Sequence, residues 1–139
     1  KGGIVGQWES KGANVAVLLK SYFKVDSISA DFKANNTYLV ESYANGAKTT
    51  YSGTYVQTAS TVAGIWNITL NQTTPTAVTS TGIFEITSTA TNAYNMKYEV
   101  VQTEPNIGAT PPTAAAGFGS SSGGALGTTN VQTFVKVNE

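Results

Sequence analysis

The chain has 139 residues, one domain's worth and enough to bury a core without disulfides or a structural metal. Only 12% of residues are charged, eight Lys against eight Asp and Glu, for a net charge of zero. The absence of His, Cys and Arg excludes the usual zinc sites, His- or Cys-based nucleophilic triads, thiol redox centres, His- or thiolate-held haem and Arg phosphate clamps, so no cofactor and no nucleic-acid partner is expected.

Period-two alternation of apolar and polar side chains dominates the rest and predicts eight strands, over 4–9, 27–33, 37–43, 48–57, 64–70, 81–88, 94–100 and 130–137. After the first strand, Val15, Leu18, Leu19 and Tyr22 fall at i, i+3, i+4 and i+7. This spacing predicts one short amphipathic helix with Asn14 as its N-cap; a strand over 14–19 is the alternative. In the second strand Ile28, Ala30 and Phe32 alternate with Ser29, Asp31 and Lys33. Ala34-Asn35-Asn36-Thr37 and Asn45-Gly46 then supply residues that tolerate the positive φ of hairpin turns. Further along, Trp66, Ile68 and Leu70 face away from Asn67 and Thr69, and Tyr94, Met96, Tyr98 and Val100 face away from Asn95, Lys97 and Glu99. The links at 58–63, 71–80 and 89–93 are polar and free of helical pattern.

Ahead of the last strand, residues 104–129 hold three Pro, six Gly and five Ala, and no charge occurs over 105–135. A loop this long inside one domain is a candidate lid or binding loop, or else a neutral insert without a role. No run of about 18 apolar residues is present, so no membrane span is expected.

Eight mostly antiparallel strands in sequence order, joined largely by short links, close on themselves and so remove exposed edges. The expected fold is an all-β, eight-stranded antiparallel up-and-down β-barrel occupying residues 1–139 as a single domain. A two-sheet sandwich is the alternative, because both architectures bury one face of each strand. Eight strands leave an interior just wide enough to be filled by side chains or to hold one small ligand. A void of about 300 Å³ or more, lined by aromatics and a few polar tips, would mark the second case.

Gly3-Ile4-Val5-Gly6-Gln7-Trp8 resembles the Gly-x-Trp signature that opens the first strand of lipocalins and of the wider calycin group, avidins included. Tyr51-Ser52-Gly53-Thr54-Tyr55 is similar to the Gly-x-Tyr strand of avidins, and Thr133-Phe134-Val135-Lys136-Val137 to their last strand. The resemblance implies a calycin-like barrel of bacterial secreted type, with Trp8 plugging its closed end. Lipocalins usually carry an Arg on the last strand over that Trp. Here Lys136 stands nearest, with an aliphatic stem and a cation to place above the ring. Avidins have an acidic residue before the Thr-Phe pair, where this chain has Gln132, and wall biotin with several Trp, for which Trp66 is the one counterpart. Ser10 and Asn14 match the polar contacts that follow the first strand.

Trp66, Phe84 and Tyr98 lie on faces read as inward, where they line a cavity or simply fill it. Tyr43, Tyr51 and Tyr55 would present hydroxyls to a ligand at the open end, or pair across strands on the surface. Asp26, Asp31, Glu85 and Glu99 would make an acid/base pair only if two faced each other across a cavity. Asp31 and Glu99 alternate with other polar residues, the mark of a solvated outer face, and no Asp-rich loop suggests calcium. The expected function is therefore non-enzymatic binding of a small hydrophobic or amphipathic ligand, with ligand contacts from Trp66, Phe84, Tyr98, Tyr43, Tyr55, Ser10, Asn14 and Gln132. The alternative is a cell-surface structural or interaction module with a filled barrel, whose Thr- and Tyr-rich outer face and long loop contact a protein or glycan. Low charge with 21 Thr, 12 Ser and 11 Asn sets the expectation of a secreted, periplasmic or cell-surface location.

Overall fold

The computed structural model describes residues 4–17, 20–21, 24–44, 46–74, 76–90, 93–105, 108–124 and 130–137. Its strands are β1 (Gly6–Lys11), β2 (Val25–Phe32), β3 (Thr37–Ala44), β4 (Ala47–Ala59), β5 (Ile65–Thr74), β6 (Val78–Ala90), β7 (Ala93–Glu104) and β8 (Gln132–Lys136). Each pairs antiparallel with the next, and β8 returns to β1, closing the barrel. Closure removes the sandwich alternative. All eight predicted strands are present. The main differences are longer β5, β6 and β7, whose extra residues tighten the β5–β6 link and carry β7 on to Glu104. Among the described residues the β1–β8 seam has two registered pairs, Trp8 with Lys136 and Glu9 with Val135, followed by the Val137 N–H bond to Gln7 O at 2.8 Å, against eleven pairs between β6 and β7.

Turn chemistry behaves as the sequence predicts. Asn36 takes a positive φ of 70°, the Asn35 side-chain oxygen accepts the Thr37 N–H at 3.2 Å, and β2 passes into β3 in register from Phe32 opposite Tyr38. The predicted helix is only partly open to description, because Leu18, Leu19 and Tyr22 lie outside the described residues. What is described is a 3-10 turn at Gly12–Asn14 and one helical bond from Lys20 N–H to Ala16 O at 3.1 Å. Asn14 therefore ends the 3-10 turn and is not a helix N-cap; the chain is extended again at Val15. Among the described residues no helix is long and apolar enough to cross a membrane.

Alternation divides every strand between the barrel interior and its outer face. The two ends of the interior differ. At the end where β2 meets β3, Ile4, Trp8, Tyr55, Ile68, Phe84 and Met96 are buried almost completely and belong to one cluster. The Trp8 indole N–H donates to Ile4 O at 2.9 Å, and the Tyr55 hydroxyl donates to Lys33 O at 2.8 Å. Both polar tips are thus satisfied within the plug, as buried Trp and Tyr require. Lys136 crosses beneath, its Nζ 5.6 Å from the Trp8 ring centre and 5.6 Å from that of Tyr94. Gly6 makes room for it. A Cβ there would stand 2.8 Å from Lys136 Cε, on a backbone already at φ 137°.

The outer face holds a second buried patch. Ile83, Glu99 and Val101 alternate with inward residues, yet all three are buried. The cause is the long β7–β8 connection, which lies against the outside of β7. The Glu99 carboxylate accepts the Gly119 N–H at 2.7 Å, the Ser121 N–H at 3.2 Å and the Ser121 hydroxyl. Asn130 Nδ2 donates to Val100 O at 3.0 Å, and Lys97 Nζ lies 5.4 Å from the Phe118 ring centre. The expectation that Glu99 sits on a solvated face is thereby overturned: its position on the strand is outward, but the connection covers it.

Candidate ligand-binding site

The other end of the interior is hollow. A cavity of about 510 Å³ opens toward the end of the barrel that carries the β3–β4 and β5–β6 hairpins. Its wall is mostly aliphatic and aromatic, including Ile28, Phe32, Val40, Leu70, Val100 and Phe134. Ser42, Thr49, Tyr51, Gln72 and Ser80 line it from strand segments next to those hairpins, giving the mouth a polar rim over an apolar body, as ligand pockets commonly show.

Three polar tips occupy the apolar body. Tyr38 on β3 and Tyr98 on β7 stand four strands apart in a ring of eight and so come from opposite walls. Their rings are fixed by aromatic contacts, Tyr38 with Phe32 at 6.0 Å between centres and Tyr98 edge-on to Phe134 at 5.4 Å. Among the described residues neither hydroxyl has a hydrogen-bond partner. Burial pushes the Tyr38 phenol up to about 12. Burial, together with the nearby Tyr38, also raises Tyr98. Both therefore remain protonated donors at neutral pH. The third tip is Gln132, opposite Tyr98 in the β7–β8 register. Its Oε1 accepts the Ala16 N–H at 3.1 Å, which orients the amide and leaves the NH₂ group as a donor.

Of the eight residues expected to contact a ligand, two line this cavity, Tyr98 and Gln132. Trp66 and Phe84 do face inward but lie at the packed end, stacked on one another with ring centres 5.9 Å apart and planes 5° apart. Tyr55 also belongs to the packed end, its hydroxyl spent on Lys33 O. Tyr43 points outward, donating to Glu41 Oε1 at 3.1 Å. Ser10 is fully buried with its hydroxyl unpartnered and is not part of the cavity wall, nor is Asn14. Tyr51, also read as a hydroxyl for the open end, does line it.

Tyr38 was hidden by its strand's composition, since Thr37-Tyr38-Leu39-Val40-Glu41-Ser42-Tyr43 has apolar residues on both faces. The signal available was Glu41, which shares its face with Leu39 and Tyr43 and so assigns Tyr38, Val40 and Ser42 to the interior. No described residue of the 104–129 connection lines the cavity; Gly119 and Ser121 hold their part of it against the outside of β7. Asp26, Asp31, Glu85 and Glu99 are absent from the wall as well, and no acid pair faces across it. In comparison with known proteins, the chain matches no family model, no curated protein and no solved structure.

Proposed function

We propose that this chain is a non-enzymatic, lipocalin-like binding protein of calycin type, secreted, periplasmic or displayed at the cell surface, that holds a small hydrophobic or amphipathic ligand inside its barrel. The observation that carries this reading is the hollow half of the interior, about 510 Å³, where side chains of the same strands fill the other half. A volume in the range of small-molecule pockets, with an apolar body and a few polar tips, suits one ligand of modest size. Lys136 over Trp8 supports the calycin part of the reading, because it occupies the place that the lipocalin Arg takes over the first-strand Trp.

The test is stoichiometric binding of the polarity-sensitive dye N-phenylnaphthylamine, followed by its fluorescence. One saturable site, lost on Leu70→Trp and kept on Trp66→Phe, is the expected result. Absence of saturable binding would remove the reading and favour the interaction module instead.

A further inference from the structure

We propose that the cavity selects uncharged ligands carrying a carbonyl oxygen, of the amide or ketone class, over carboxylates of the same length; this rests on the ligand-binding reading above. The first support is the placement of charge. Among the described residues the wall contains no Lys, Asp or Glu, although the chain has 16 such residues. On the strands, Glu9, Asp31, Glu41, Lys48, Glu85, Lys97 and Glu99 all take outward positions, and Lys136 sits under the Trp8 plug. An ion drawn into the hollow would lose its hydration and meet no counter-charge there.

The second support is the set of free donors. Tyr38, Tyr98 and the Gln132 amide are fixed by ring contacts and by the Ala16 bond, and each offers a hydrogen to the apolar body. Donors that face the hollow without a protein partner, inside a largely apolar wall, favour an acceptor that carries little hydration of its own to lose, which describes a neutral carbonyl. A carboxylate has one competing arrangement, head-out at the mouth near the exposed Lys20 and Lys24 of the β1–β2 connection. In that pose it would not engage the deep donors.

The experiment is displacement of N-phenylnaphthylamine by decanamide and by decanoate at about pH 8, where the acid is ionised. Decanamide is expected to displace the dye at a concentration at least about tenfold lower than decanoate. Tyr98→Phe should weaken decanamide about tenfold, the worth of one buried hydrogen bond, once displacement is corrected for the variant's own dye affinity and with an unchanged circular-dichroism spectrum as the control for folding. Equal potency of the two competitors, or a Tyr98→Phe variant that binds decanamide as the parent does, would overturn the selection for a neutral carbonyl. Failure of the dye to bind the parent protein would overturn the ligand-binding reading itself, and this inference with it.

Discussion

The two halves of one barrel interior, built from the same strands, have opposite fillings. The packed half is filled by large side chains of one buried cluster: Trp8 from β1, Tyr55 from β4, Ile68 from β5, Phe84 from β6 and Met96 from β7. The hollow half takes Ala44, Ser42, Thr49 and Ser80 at inward positions near the mouth, and these are too small to meet across the ring. The difference lies in side-chain volume, with the backbone ring continuous through both. Stability is thus concentrated at the Trp8 end, and the open end is free to hold something other than protein.

The sharpest break of this comparison is Trp8→Ala, which removes the plug, its bond to Ile4 O and the surface beneath Lys136. It should cost about 4 kcal/mol in urea denaturation, whereas Leu70→Ala, which borders existing space, should cost about 2 kcal/mol. An equal loss at both positions would mean the halves do not differ energetically. Overpacking probes the same contrast from the other side. Ile68→Phe in the filled half should cost about 2 kcal/mol, and Val40→Phe in the hollow half less than about 1 kcal/mol while abolishing dye binding.

Alkaline pH offers a third probe, acting on both halves because burial also raises the Tyr55 phenol in the packed half, with the hollow half's share read at Tyr38 and Tyr98. Tyr38 and Tyr98 ionise less readily folded than unfolded, so the folded state holds their protons more tightly. The stability this represents is complete below about pH 10, the unfolded phenol value, and is lost as pH rises toward about 12. Urea midpoints measured from about pH 8 to about pH 11 should fall, and Tyr38→Phe should flatten the decline. The smallest effect is expected from Lys136→Met, which keeps the stem over Trp8 and removes only the cation. A loss of about 0.5 kcal/mol in thermal or urea melts is anticipated, the scale of a half-exposed cation–π contact.

Alternation made the barrel legible, because a half-buried strand must put its apolar side chains on one face. It also separates inside from outside at Tyr98, Gln132, Trp66 and Phe84. What it does not encode is height along the barrel axis. Trp66 and Tyr98 share the inward sense and both flank Phe84 in register, yet only Tyr98 lines the hollow. Glu99 was opaque for a different reason: its burial depends on Gly119 and Ser121, some twenty residues away and in no periodic relation to it. Tyr43 could have been placed by its face-sharing with Glu41.

The seam between β1 and β8 has a kinetic consequence. Among the described residues two registered pairs and the Val137–Gln7 bond join those strands, and β8 reaches its place only after a connection running from Pro105 past Asn130. Sequence-local hairpins from β2 to β7 can form early, but sealing the ring waits on the costliest chain closure in the molecule. Amide hydrogens of β8 should accordingly exchange with deuterium well before those of the β6–β7 pair. The same brief parting would give a bulky guest a sideways route inward when the mouth is too narrow to admit it.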